Sequence, residues 1–567
     1  MRSLIPKDIQ IFNAGAAPVV AAMCREINLR GIVDSMVKWD SKQCRLSPGT
    51  LIEALVINVL TARKPLYKVQ EFYRHYDLEV LFGQDITADA FNDDALGRAL
   101  TKLAHAHPQK VYLALALSAM KVHDIKVTTL HADTTSISVA GRYNDEDEPL
   151  LNITYGFSKD HRPDLKQFIY GLISNVEGVP LFATMHDGNL ADKTWNKKVL
   201  QEIDTILPPD TTGNYIYVAD SAMVTSENLD IMARKGIAFI SRLPETFSLA
   251  DEIKEWAWQV DSNDWCEIGK LSNKKDAAIY RLKTVIRDIN GRPYRFIAVS
   301  SSSVDERKEK QLSKKVEQEK KNLEKACQEL ARKRFNCLKD AQEAVENFIA
   351  EYDSPFFVLS LDVVEDTEIK RGRGRPRKDE PGIVQTYYRL QPTLIGPLED
   401  AVAAAKEKAS IFIMVTNVLS EEELPAIEAL KTYKKQTAVE LNFRFLKDPV
   451  YVDGIYMKNS ERIVGIGYVF LMALLIYALL QRRVRINMAK ENAVLTFPGK
   501  RKSSEPTGQM ILDMLSTVEV ARIETDDEII RQIPRDRLTE DIKKLLRFTG
   551  FSEEIYYRAL NNSSVID

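Results

Sequence analysis

Three carboxylates set far apart in the chain, Asp133, Asp220 and Glu440, each sit where folding could bring them to one divalent-metal site. Asp133 lies near the end of an apolar, β-branched run from Ile125 to Ile137 that reads as a buried strand, and Asp220 closes a similar run beginning at Tyr215. Around Glu440, spacings of 3, 4, 4 and 3 put Tyr433, Gln436, Glu440, Arg444 and Lys447 on one helical stripe, while Val439, Phe443 and Leu446 form a separate apolar face. Hard cations such as Mg²⁺ take carboxylate oxygens and keep several waters, so two or three acids facing a cleft suffice when phosphates supply further ligands. Two ions so held activate a water and stabilise the leaving oxygen in phosphodiester cleavage. Tyr433 and Lys447 could then grip a DNA phosphate beside the metals.

Other blocks strengthen the pattern: His131-Ala-Asp133-Thr-Thr-Ser136, the segment from Tyr155 to Gln167, Gly188-Asn189-x2-Asp192, Val218-Ala-Asp220-Ser-Ala, and Thr416-Asn417 ahead of the third acid. Together they resemble the DDE transposases of bacterial insertion sequences, in the branch marked by a Tyr-x2-Arg-x3-Glu-x6-Lys signature. Here that signature reads Tyr433-x2-Gln436-x3-Glu440-x6-Lys447, with glutamine in the arginine position, and the likeness spans roughly residues 120 to 480. The resemblance implies an α/β ribonuclease-H-like catalytic core in which Asp133, Asp220 and Glu440 are catalytic and hold two Mg²⁺ or Mn²⁺ ions. It also implies DNA contacts from Tyr433, Gln436, Arg444 and Lys447, and a homodimer on the DNA. The implied activity is cut-and-paste: cleavage at terminal inverted repeats through a hairpin intermediate, then 3′-hydroxyl attack on target DNA. The residues by themselves support metal-dependent phosphoryl transfer. Two other readings stay open, a nuclease on the same core that cuts without joining and a non-catalytic DNA-binding protein.

A chain of 567 residues is too long for one core. The patterns predict a helical domain over 1–118 for DNA-end binding or dimer contact, then a first part of the core over 119–242. An insertion over 243–410, a second core part over 411–485 and a C-terminal tail domain over 486–567 follow. Strands after Ile125, a turn at Val176-Glu-Gly178 and then alternating helix and strand fit an α/β core. The 219 residues between Asp220 and Glu440 exceed what one helix and loop need, hence the insertion. Within it we expect a hairpin about Asn290-Gly291, one long Lys/Glu-rich projecting helix or helical hairpin from about Asp305 to Tyr352, and further strands.

Composition agrees: 45% hydrophobic and 28% charged residues are globular, and five scattered cysteines with no zinc spacing suit a reducing cytoplasm. The net charge of −3 excludes a uniform basic coat, so nucleic-acid binding must come from local clusters such as Lys434, Lys435, Arg444 and Lys447. A second cluster is the loop Lys370 to Lys378, where Arg373 and Arg375 in Arg-Gly-Arg-Pro resemble a minor-groove hook; a solvated connector is an equal reading. His131 shares a strand face with Asp133 and is expected to hydrogen-bond to the site, not ligate metal. Trp256, Trp258 and Trp265 are expected to pack in a core, although an aromatic could stack on an extruded base. Ile463 to Leu480 is eighteen residues without a charge, read as a buried helix behind the site, not a membrane span.

Overall fold

A computed structural model describes residues 7–83, 85–141, 143, 149–207, 215–259, 264–271, 276–303, 306–370, 383–448, 459–526 and 528–558. It is a mixed α/β structure with two compact units, one of residues 1–242 and 416–567, the other of 243–415. Arg373 and Arg375 fall outside the described residues.

The first unit opens with strand β1 (Asp8–Phe12), not with a helix as the sequence suggests, and β1 pairs antiparallel with Val520–Glu524. Most of its residues are exposed, so no buried alternation announces it, and its partner lies at the other end of the chain. Helices follow from Ala17 to Val122. Pro48–Thr61 is buried almost throughout, and its N-cap Ser47 accepts a hydrogen bond from the Thr50 amide.

The sheet comes next: β2 (Thr129–Val139), β3 (Lys166–Asn175) and β4 (Pro180–Asp187) form an antiparallel meander. On its other edge β2 pairs in parallel with β5 (Ile216–Ala219), and β5 with β6 (Ala238–Arg242), giving the order β4-β3-β2-β5-β6. Parallel neighbours need crossovers. Helix Asp192–Ile206 supplies the first, burying Trp195, Val199 and Ile203 at four-residue spacing. Helix Ser226–Lys235 supplies the second, capped by Thr225 at its start and stopped by left-handed Gly236. β2 and β3 are buried nearly end to end, with half-open positions on β2 at Asp133 and Ser138.

Helix Ser460–Lys490 runs through this unit. It is long and apolar enough to cross a membrane, yet 94% of its apolar window is buried inside the protein. It packs on helices Asp93–His105, Pro48–Thr61, Pro108–Val122 and Glu540–Thr549 and on β4. Two glycines allow the approach: a Cβ on Gly465 would lie 2.4 Å from the Leu100 carbonyl oxygen, and one on Gly467 2.4 Å from the Met185 sulfur. The segment after Lys490 is folded, with Arg531 paired to Asp77 (2.7 Å) and the Tyr556 hydroxyl donating to the Gly15 carbonyl (3.0 Å).

In the second unit, Ile279–Ile289 and Arg292–Ser301 form an antiparallel hairpin whose turn, Asn290-Gly291, has positive φ at both residues. The charged segment after Asp305 is two helices, Glu306–Ala331 and Leu338–Glu351, so of the two forms expected it is not the single helix; between them Arg334–Phe335 pairs with Tyr388 and Arg389. Nor is it bare of a core, since Ala326, Cys327 and Leu330 pack with Ala341, Phe348 and Leu390. The three tryptophans are only half-buried, and Lys283 lies 4.9 Å from the Trp256 ring centre and Arg281 5.8 Å from that of Trp265.

Candidate active site

The parallel register of β2 and β5 ends at Ala132 opposite Ala219, so Asp133, within β2, and Asp220, the residue just past β5, both follow the last matched pair. Neighbouring strands lie about 4.8 Å apart and matched residues share a face. The Asp220 charge reaches the Asp133 carboxyl. Asp133 is fixed by the Thr134 amide, which donates to Oδ1 (2.7 Å), and Asp220 by the Ala222 amide (3.2 Å) at the mouth of a short 3₁₀ turn. The Asp220 carbonyl accepts from the Ser241 hydroxyl (2.9 Å), tying β5 to β6.

Another acid, to which the sequence alone assigns no chemistry, joins them from the helix after the meander. Asp192, in the first turn of helix Asp192–Ile206, accepts from the Thr134 hydroxyl and pairs through Oδ2 with the Lys159 ammonium (3.1 Å). Lys159 also faces Asp133 Oδ1 (3.6 Å) and donates to the Thr134 carbonyl (2.7 Å) and hydroxyl (3.0 Å). Both residues lie in blocks visible in the sequence, but only the folded loops bring them to Asp133.

The electrostatics follow from this crowding. Burial pushes the Asp133 carboxyl up to about 7; Lys159 pulls it down, while Asp220 and then Asp192 add to the rise. Asp220 is also raised, first by burial and then by Asp192, with Lys159 opposing. Desolvation works against the Lys159 charge, but Asp133 and Asp192 hold it above the ordinary lysine range.

Glu440 sits exposed on helix Thr437–Lys447, which packs on β2 and β3 and is pinned by Asn442 Nδ2 donating to Ser174 Oγ and the Gly178 carbonyl, both 3.0 Å. The expected stripe from Tyr433 to Lys447 is not one helix. Ala426–Lys434 ends first, and Thr437 Oγ1 caps the Lys434 carbonyl (2.9 Å) while Ala438 and Val439 bond three residues back. This side-chain bond competes with the helical ladder and tightens the turn, leaving Gln436 at the N-cap of the second helix. Tyr433 is half-buried; its phenol is raised first by burial, then lowered by Arg242 and raised by Asp220, Asp133 and Glu440, so the fields of all three acids reach it. Arg444 is exposed, and Lys447 pairs with Asp160 (2.5 Å). Asn417 stitches the returning chain to β6, accepting from the Phe239 amide (3.0 Å) and donating to the Ile237 carbonyl (2.9 Å).

The fold thus brings together Asp133, Asp220, Asp192 and Lys159. Among the described residues no three His, Cys, Asp or Glu side chains stand close enough to hold a metal ion. The donor set is nonetheless all oxygen, and buried acids whose charges oppose one another suit a hard divalent cation that would relieve their repulsion. His131 does not make the expected hydrogen bond. It is fully buried with neither ring nitrogen partnered, and burial, then Lys435, lowers it to about 4, so it packs as a neutral ring.

Residues 9–117 match a family described as a domain of unknown function (DUF4277). No curated protein matches the chain. Among solved structures, the chain is similar to one titled "Cryo-EM structure of piggyBac transposase synaptic complex with hairpin DNA", at a TM-score of 0.39 and 8% identity, covering 88% of this chain and 79% of that one.

Proposed function

We propose that the chain is a DDE-type DNA transposase with a ribonuclease-H-like core, cutting the ends of its element and joining them to target DNA. One observation carries the reading: Asp133 in β2 and Asp220 just past its parallel neighbour β5, following the last matched pair of the two strands, with the Asp133 carboxyl raised by burial and then by the charges of Asp220 and Asp192. The strand order β4-β3-β2-β5-β6, with its meander and two parallel additions, supports the core assignment. The signature residues Tyr433, Gln436, Glu440 and Lys447 support the family. Asp133 and Asp220 would hold Mg²⁺ or Mn²⁺, with Glu440 as the third acid. When bound, the metal supplies Lewis-acid activation of a scissile phosphate and its attacking hydroxyl.

This chain's residues do the rest. Helix Thr437–Lys447 carries Glu440 and Lys447 against the meander, and Lys447 exchanges Asp160 for a DNA phosphate. Tyr433 donates its phenolic hydrogen to a second phosphate oxygen, its raised pKa keeping that hydrogen in place.

The test uses DNA bracketing the coding region. Asp133→Asn should keep binding within about twofold and lose cleavage by on the order of 10³, the worth of several kcal/mol of lost metal stabilisation. Cleavage that survives the substitution overturns the assignment. Joining of pre-cleaved ends to a target plasmid separates a transposase from a nuclease that only cuts.

A further inference from the structure

Lys159 places one ammonium among four oxygens: the Thr134 carbonyl (2.7 Å), the Thr134 hydroxyl (3.0 Å), Asp192 Oδ2 (3.1 Å) and Asp133 Oδ1 (3.6 Å). Such a cage, two of its members carboxylates, is the surrounding a hard cation takes. The lysine's side chain is 29% exposed and those of Asp133 and Asp192 are 20% and 27%, so the charges are largely withdrawn from water.

The backbone is arranged to hold that ammonium there. The Lys159 amide donates to Ser136 Oγ (3.0 Å), fixing the residue to β2. Its loop is pressed against the one leading to Asp192: a Cβ on Gly156 would meet the Gly188 carbonyl oxygen at 2.0 Å, and one on Gly188 the Gln167 carbonyl oxygen at 2.0 Å. The buried Gln167 side chain bridges the two loops, donating to the Gly188 (2.7 Å) and Phe157 (3.2 Å) carbonyls. Lys159 and Asp192 thus approach Asp133 from two loops clamped to each other.

We infer that Lys159 is a resident counter-cation of the acid cluster, a positioning residue that keeps Asp133 and Asp192 paired in the metal-free protein and competes with the divalent ion for Asp133. The inference rests on the reading of Asp133 and Asp220 as a metal site. Loading a metal then requires the ammonium to leave Asp133, which makes metal affinity weaker than the carboxylates alone would give. Once displaced, its charge stays within the site, beside the metal.

Mn²⁺ binding by full-length protein, read by electron paramagnetic resonance, tests this without turnover. Lys159→Met, which keeps the length and drops the charge, should bind Mn²⁺ roughly tenfold more tightly, the scale of one partly buried charge pair; Lys159→Arg should bind close to wild type. Unchanged or weaker binding by a folded Lys159→Met protein overturns the proposal. A second readout needs no variant: saturating Mn²⁺ should speed acetylation of Lys159 by acetic anhydride at least severalfold relative to the other lysines, measured by mass spectrometry, and a rate that stays or falls overturns it. Binding abolished by Asp133→Asn yet indifferent to Lys159 sinks only the lysine's role. No Mn²⁺ binding by any chain sinks the metal site with it.

Discussion

At the scale of single residues, burial shifts the charges in this protein first, and neighbours add to the shift or oppose it. His123 is an instance away from the candidate site. Its side chain is 5% exposed, with Arg483 Nη2 3.3 Å from Nδ1, Glu26 Oε2 3.9 Å from Nε2, and Arg482 donating to its carbonyl (3.1 Å). Burial first, and then Arg483 and Arg482, lower its pKa to about 4. The folded value lies below the unfolded value of about 6.5, so the unfolded chain binds more protons between the two. The neutral ring's contribution is whole above pH 6.5 and declines as pH falls toward 4, by up to about 1.4 kcal/mol per pH unit. Denaturant midpoints taken from pH 7 to 4.5 should therefore fall less steeply in His123→Gln than in wild type. An equal slope in both would mean that His123 does not titrate differently on folding.

At the scale of elements, close approach governs the packing of helix Ser460–Lys490. Gly465 meets backbone atoms of Leu100, the carbonyl oxygen at 2.4 Å and the carbonyl carbon at 2.8 Å from where a Cβ would sit. Backbone cannot swing aside as a side chain can. Gly465→Ala gains about 1 kcal/mol of helix propensity but should lose more through overpacking, for a net destabilisation of about 1–2 kcal/mol. Urea unfolding checks it, and a stabilised Ala variant would contradict the close contact. Elements differed in how far they could be read in the sequence. The strand that holds Asp133 and the one that leads to Asp220 are legible because β-branched apolar runs of that length have few other uses. Asp192 and Lys159 were visible as residues but not as partners, because two loop contacts decide their meeting. The stripe from Tyr433 to Lys447 follows 3.6-residue spacing, which cannot register the Thr437 hydroxyl tightening one turn. Strand β1 carries no buried pattern to find.

At the scale of the molecule, the chain interrupts one unit to build another. Residues 243–415 carry their own clusters, one around Ala341, Phe348 and Leu390, another around Leu323, Phe356 and Phe357. Expressed alone, this stretch should melt cooperatively, with stability on the order of 5 kcal/mol and mixed helix and strand content by circular dichroism. A broad, non-cooperative transition would show that it borrows its order from the rest of the chain.

The pairing of β1 with Val520–Glu524 has a temporal consequence. A ribosome releases the first strand long before it has made the partner, and at about 5–20 residues per second the interval is on the order of a minute. During that wait Ile9 and Ile11, more than half exposed even in the finished protein, face solvent on an open edge that offers a template for wrong pairing until synthesis is nearly done.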